Sequence, residues 1–349
     1  MKLISKEEAF IGLDIGSSMI KAVKISHKGK KRILDSYSFE PIEEGVVQSG
    51  EIRNPSSLAQ STLKAVRRCD PKVKNVVVSL PNHSILSEVL TMNLRPDKEM
   101  KEAVMMEAEQ MSAFDLDDVE IDYEILERDE TAKKVKVLMV VAKNDIIYSY
   151  VDLLSEAGLI PMALDVDLFA LANIFHLNYD VNKCASCVLI NIGTESTVAA
   201  FIRNGVYHSS RDIPIAGEVF LRELSTMNGI DKETVHEIMR GTIPKDVNVE
   251  ELTTRLNIAG KEFSSAVSVA LSYFHASDGA SKTEMIILTG GYSWIPGLIN
   301  MLEMRTGAEV IILDPFTNIT YRENTMQGLD ARKVGSTLSV AMGLATRKV

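Results

Sequence analysis

The chain has 349 residues, 46% hydrophobic and 25% charged, with a formal net charge of −10. That length accommodates two or more domains with their own cores, and the acidic balance argues against a nucleic-acid surface, which needs clustered Lys and Arg. Three cysteines cannot build a disulfide framework, so a reducing, cytoplasmic compartment is expected.

The N-terminal MKLISKEEAFIGLDIG has acidic residues where a signal peptide carries an apolar core. No apolar run approaches the ~20 residues that span a bilayer, and the final GLATRKV does not extend into a basic amphipathic tail. We therefore expect no direct membrane insertion, with any membrane association made through a partner.

Residues 10–15 are an apolar run ending at a glycine turn; residues 19–25 resume as a strand, Lys28-Gly29 closes a hairpin, and 32–39 read as a third strand. The basic run Lys28, Lys30, Lys31, Arg32 reads as a solvated turn. Residues 54–69 have helical spacing through Leu58, Leu63 and Val66, with Asn54 and Pro55 as N-cap and first-turn residues. Strands over 76–80 and 87–94, a helix over 97–111, strands over 119–127 and 134–142, and a helix over 144–157 follow. Their β-β-α-β-β-α order predicts a compact inserted domain over 76–160.

Cys184 and Cys187 have zinc-like spacing without a second ligand pair, so small buried residues leading into a strand are the better reading. Strands over 188–192, 197–202 and 207–213 follow, the last two joined by Asn204-Gly205, a strong hairpin signal. Residues 217–282 are nearly strand-free, and Leu252, Leu256, Ala259, Phe263, Val267, Ala270 and Phe274 mark an amphipathic helix. A short strand over 285–288 opens into TGGYSWIPGL, a last strand covers 310–313, and 336–346 is a helix of small residues suited to close packing.

One motif is written twice. LDIGSSMIKAV at 13–23 and INIGTESTVAAF at 190–201 align Gly16 with Gly193 and Ser17 with Thr194. A strand ending in Gly can aim successive backbone N–H groups at one point, a nest that binds anions. Two nests, one from each of two related α/β halves, would grip a polyphosphate across a cleft. Hydroxyls of Ser17, Ser18, Thr194 and Ser196 add donors, and Asp14 is placed to orient waters around Mg²⁺. The Gly290-Gly291 pair leaves a flat surface for an adenine ring. Lys21, Asn191, Glu195 and Gly217 complete the candidate ATP-binding set.

DIGSS, NIGTEST, TGG and the small-residue C-terminal helix resemble the nucleotide site of the actin, hexokinase and Hsp70 superfamily. The inserted block looks like that of the cell-division protein FtsA. EGVVQSGEIRNPSSLAQ, EMKEAVMMEAEQMSAF with VEIDYEI, and AGLIPMALDVDLFAL are similar to the type IV pilus assembly protein family PilM.

The resemblance implies an actin-like fold of two ribonuclease-H-like cores around a nucleotide cleft. The first half would take 1–75, 161–182 and 330–349; the second, 183–216 and 283–329, with 217–282 as its helical cap. It implies a cytoplasmic ATP-binding scaffold of the inner-membrane pilus platform or a related type II secretion platform. The partner would be the cytoplasmic N-terminal peptide of a PilN-like bitopic membrane protein, with pilus motor or other platform proteins as further partners. That peptide would lie between the first half and the insert, where Met100, Met105, Met106 and Met111 suit an adaptable groove or fill the core.

Superfamily members usually carry Asp where this chain has Asn191, and use it with Asp14 to organise Mg²⁺ and water. Two unit charges about 4 Å apart interact by ~4 kcal/mol at an effective dielectric near 20. Losing that charge weakens metal placement, so ATP binding with slow or no hydrolysis is expected. The water-positioning carboxylate would be Asp165 or Asp167, either of which equally suits a helix N-cap. Glu237 and Arg240 resemble the position that touches the nucleoside, or are solvated helix charges. A small-molecule kinase and an FtsA-like filament former are the competing readings.

Overall fold

The computed structural model describes residues 9–347 except 30, 49, 112–114, 181–183 and 279–281. The expectations that fall on 1–8, Lys30 and 348–349 lie outside the described residues. β1 (Ile11–Ile15), β2 (Met19–Lys28) and β3 (Lys31–Pro41) form an antiparallel meander, with Leu13 opposite Ala22 and Ala22 opposite Ser38. A short hairpin of β4 (Val47–Gln48) and β5 (Glu51–Ile52) leads into α1 (Pro55–Cys69). The Asn54 side chain accepts the Ser57 N–H at 3.1 Å, and Pro55 opens the helix where an N–H has no partner to lose.

β6 (Asn75–Leu80) pairs parallel with β1, so its continuous apolar run is buried on both faces. β7 (Ile85–Asn93), α2 (Asp97–Met111), β8 (Val119–Asp129) and β9 (Lys134–Lys143) then form a separate three-stranded sheet in the order β7-β9-β8, covered by α2. The chain returns through α3 (Asn144–Glu156) and β10 (Ile160–Val166) to α4 (Asp167–Asn178). β10 lies on the free side of β6, completing the first sheet as β10-β6-β1-β2-β3-β16.

β11 (Ser186–Ile192), β12 (Thr197–Arg203) and β13 (Val206–Ile213) repeat the opening meander. α5 (Gly217–Leu224), α6 (Lys232–Met239) and the long α7 (Val249–Asp278) cover the second sheet. β14 (Met285–Thr289), α8 (Leu298–Thr306) and β15 (Glu309–Ile312) complete it as β13-β12-β11-β14-β15. β16 (Ile319–Tyr321) then crosses to the first sheet beside β3, and α9 (Ala331–Ala345) ends the described chain.

Two boundaries differ from the sequence reading. The expected insert over 76–160 narrows to β-α-β-β over 85–143. β6 is drawn into the first sheet by its neighbours β1 and β10, while α3 buries Tyr150, Leu153 and Leu154 in the first-half core. Residues 319–321, expected in the second half, extend the first sheet instead. Of the four methionines expected to suit a groove, Met100 is wholly buried in the core of the insert. Met105, Met106 and Met111 are exposed, and the first two line a shallow depression on α2 with Lys98, Lys101 and Leu116. Cys184, just before β11, and Cys187, within it, are buried free thiols. Among the described residues, no helix is long and apolar enough to cross a membrane.

α4 and α9 fill the space between the two sheets. Their Leu171, Phe175, Leu338 and Met342 share one core with Val23 and Leu34 of the first sheet and Leu189 and Ala200 of the second. Small residues let the helices approach. A Cβ at Gly343 would sit 1.9 Å from the Ala170 carbonyl oxygen, and one at Gly12 would sit 2.2 Å from that of Ala341. In an exposed helix Gly→Ala stabilises by ~1 kcal/mol. Gly343→Ala should instead destabilise by about 2–3 kcal/mol through overpacking, measured as a lower urea midpoint.

Candidate functional site

Both glycine turns are closed the same way. The Gly16 N–H donates to Met19 O at 3.2 Å, and the Gly193 N–H donates to Ser196 O at 2.9 Å. The glycine amides are thus used inside the turns; among the described residues, the amides of Ser17, Ser18 and Thr194 take no part in those backbone bonds. The N-terminus of α5 pins the second turn, with the Gly217 and Glu218 N–H groups donating to the Gly193 and Thr194 carbonyls, each at 2.9 Å. Gly217 has no room for a side chain, since a Cβ would lie 2.4 Å from the Tyr292 ring.

The turns meet. Ser18 Oγ and Thr194 Oγ1 are hydrogen-bonded at 2.7 Å, although 176 residues separate them. The Thr194 hydroxyl also lies 3.3 Å from the Tyr292 hydroxyl. Glu195 and Ser196 are exposed at the rim of this contact.

The acidic groups gather on the first-half side. Cross-strand pairing sets Asp14 opposite Lys21, and the ammonium donates to Asp14 Oδ2 at 2.7 Å. Asp167, the first residue of α4, sits near this pair. Its carboxyl is pushed up to about 7, first by burial and then by the negative charge of Asp14, against the pull of Ser79 and Lys21. The buried Tyr150 phenol behind them is also pushed up, by burial and then by the charges of Asp167 and Asp14. Asp165 is drawn elsewhere. It is bound by the Arg347 guanidinium and accepts the Val166 N–H at 2.8 Å, so Asp167 alone of the two adjoins Asp14 and Lys21 in this cluster.

Asn191 is opposite Thr289 at the end of β11 and packs against the third glycine motif. Its Oδ1 is 2.6 Å from where a Gly290 Cβ would be, and Gly290 has φ +92°, a backbone that favours glycine. Above Gly291 there is open space. The loop is tied to α9, whose Ser336 carbonyl accepts from Thr289 Oγ1 at 2.8 Å and from the Gly290 N–H at 3.0 Å. Trp294 Nε1 donates to Ser336 Oγ at 2.8 Å, and the Arg332 and Lys333 cations lie 5.8 and 5.7 Å from the Trp294 ring centroid. The end of α6 closes on the same loop: Lys333 Nζ donates to Gly241 O at 3.2 Å. Glu237 and Arg240 are exposed on that segment.

The structure therefore gathers Asp14, Gly16, Ser17, Ser18, Lys21 and Asp167 against Asn191, Gly193, Thr194, Gly217, Gly290 and Gly291. It leaves Asp165 in a separate ion pair. Sequence reasoning missed Tyr150, Tyr292, Trp294, Lys333 and Ser336. Two of these lie inside the quoted TGGYSW, where an aromatic either side of Ser293 was the available signal.

The sequence profile of the family described as type IV pilus assembly protein PilM matches residues 12–349. The chain belongs to the PilM family. Among solved structures, one described as a PilM-PilN type IV pilus biogenesis complex superposes with TM-score 0.81 at 23% identity, over 96% of this chain and 97% of that one. The ethanolamine utilization protein EutJ of Carboxydothermus hydrogenoformans gives TM-score 0.57 at 12% identity, over 97% and 90%. MreB5 of Spiroplasma citri bound to ADP gives 0.54 at 13%, over 97% and 95%. At these identities the likeness is one of fold, and this member of the PilM family has the actin-like two-half fold.

The Asp167 environment has a measurable consequence. A carboxyl raised above its ordinary value favours folding as the neutral acid. Its contribution is fully present below about pH 4 and lost as pH rises through 7. Asp167→Asn, which cannot ionise, should match the wild type near pH 4 and exceed its stability by ~1–3 kcal/mol near pH 8.5. Urea unfolding at the two pH values measures the difference.

Proposed function

We propose that this chain is an ATP-holding, actin-like scaffold of a type IV pilus or related type II secretion platform. It acts at the cytoplasmic face of the inner membrane. There it binds the cytoplasmic N-terminal peptide of a PilN-like membrane protein, between the first half and the insert. The observation that carries the nucleotide reading is the meeting of the two turns, with carboxylates on one side and a carboxamide on the other. A PilM-PilN complex among its structural neighbours supports the partner, and an ADP-bound neighbour of the same fold supports the ligand.

In this reading the amides of Ser17, Ser18 and Thr194 would hold the phosphates, with Lys21 as the point charge beside them. The Ser18 and Thr194 hydroxyls would be further donors to phosphate oxygens. Gly290 and Gly291 would accommodate the adenine, with Asn191 and Gly217 shaping the floor. The charge balance fits a cation, because Asp14 and Asp167 share one ammonium, and burial followed by the charge of Asp14 pushes the Asp167 carboxyl up to about 7. Asp14, through water, and Asp167 would hold Mg²⁺, which when bound neutralises developing phosphate charge. Asn191 keeps an oxygen toward the site but adds no charge, so the second half contributes shape without drawing a proton from water.

Single-turnover assays test this reading. Excess protein with trace labelled ATP and Mg²⁺ should retain ATP intact for an hour, and turnover faster than about one per second would overturn the scaffold assignment. Asn191→Asp, which has the same shape and one more charge, should raise the single-turnover rate at least about tenfold.

A further inference from the structure

The strands that carry the glycine turns also fix what gathers at the opposite end of the first sheet. β1 and β6 run parallel, with Ile11 beside Val76, so the start of β6 lies at the end of β1 remote from Asp14. The β2–β3 hairpin tip extends past that end, since Val23 pairs with Gly12 and Lys28 with Lys31. The last turn of α1 is held there by Cys69 Sγ, which donates to Ser36 O at 3.6 Å, and by Lys24 Nζ, which donates to Asp70 Oδ2 at 2.7 Å.

This end is basic within an acidic protein. Residues 24–35 and 64–74 hold ten Lys or Arg and two Asp, whereas the chain has net charge −10. Both acids are engaged: Asp70 is held down by Lys24, and Asp35 accepts from Ser26 Oγ at 3.1 Å. Arg68 pairs with Glu40. Lys64 and Arg67, three residues apart on one helical face, are exposed and make no ion pair among the described residues, and the same holds for Lys31 and Lys74. Asp152 and Glu156 of the neighbouring α3 are also exposed, and no ion pair joins either to these cations.

Exposed apolar groups border the cations. Ile160 is 52% exposed, and its N–H donates to the Lys74 carbonyl at 2.9 Å; Met162 follows on the edge strand β10. On the far edge, Tyr321 is exposed beside β3, where Ile319 pairs with Arg32. The cations thus lie between apolar side chains exposed at both edges of the first sheet.

We propose that this end of the first half docks peripherally on an anionic lipid surface, with Lys31, Lys64, Arg67, Lys72 and Lys74 against the headgroups and Ile160 and Met162 at the interfacial rim. Four to eight clustered Lys or Arg suffice for such contact, each adding roughly fivefold near the surface. The repulsion expected from the remaining negative charge is screened beyond about 8 Å at physiological ionic strength. The surface faces away from the glycine turns, so docking leaves the cleft unobstructed. It supplements any hold provided by a membrane-anchored partner and does not depend on that assignment.

Flotation of the full chain with vesicles tests the proposal. The protein should rise with vesicles containing about 30% phosphatidylglycerol but not with phosphatidylcholine alone. Binding should fall at least tenfold between about 50 and about 500 mM salt. Lys64→Gln, Arg67→Gln, Lys72→Gln and Lys74→Gln together should weaken anionic-vesicle binding at least about fiftyfold. Lys245→Gln with Lys261→Gln, on the second half, should change it less than about twofold. Thermal melts establish that both variants are folded, and the salt series on the wild type stands without them. Equal binding to neutral vesicles, undiminished binding by the quadruple variant, or stronger retention on single-stranded nucleic acid than on anionic vesicles would each overturn the assignment.

Discussion

Everything in this molecule is arranged around one close approach, that of α9 to the backbone of β1 on one side and of α4 on the other. The two helices are the material between two sheets, and side chains from all four elements share one core. Because α9 presents Gly335, Ala341, Gly343 and Ala345 along its length, the backbones come together at distances a branched residue would forbid. That approach sets the distance between the sheets, and hence the distance between the turns at their ends. Ser18 and Thr194 can share a hydrogen only because the helices beneath them have no bulk to spare. α9 also holds the third motif directly through the Ser336 carbonyl, so the glycine loop and both turns are referenced to one helix.

Within that frame the two halves are mechanically alike and electrostatically unlike. Each offers a glycine-closed turn, a meander and a helix packed behind. The first buries its carboxylates beside the turn and crowds them: Asp14 and Asp167 lie near a single Lys21, in an environment dry enough to push a carboxyl up to about 7, whereas Glu195 of the second turn is exposed. The second offers Asn191, folded against Gly290. An ordinary nucleotide hydrolase spreads its acidic groups so that metal and water are held from two sides. Concentrating them on one side builds a site that welcomes positive charge and holds it at one wall.

Much of this was legible in the sequence because it depends on local rules. The repeated turn, the Asn54 cap, the Asn204-Gly205 hairpin and the α7 stripe each follow from residues within a few positions of one another. What was not legible depends on distant partners. An apolar run such as Asn75–Leu80 announces a buried strand without saying which sheet will take it, so the insert was drawn too wide at both ends. Asp165 and Asp167 look alike in LDVD. They part company because one ends a strand facing Arg347 at the far C-terminus while the other opens a helix at the cleft. The 28–32 run by itself reads as a solvated turn, because the second basic segment joins it only when α1 lies down across β2 and β3.

The narrower insert is also better connected than a free appendage would be. Val89, Leu138 and Val140 turn toward the core that holds Phe169 of α4 and Tyr207 of β13, so its sheet rests on both halves at once. Polar contacts tie this region to the second half, among them Ser87 Oγ to Tyr207 Oη at 3.0 Å and, from the loop just before β7, Asn82 Nδ2 to Asp212 Oδ1 at 3.2 Å. Asp212 is one residue from Ile213, which pairs with Thr197 at the edge of the second glycine turn. A rotation of one half against the other must slide β13 past β7, because the insert is rooted in the first half and braced on the second. Both bonds span that seam within hydrogen-bond range, so a shift of little more than an ångström breaks them. A rotation that opened the cleft would therefore also strain the seam beneath the insert.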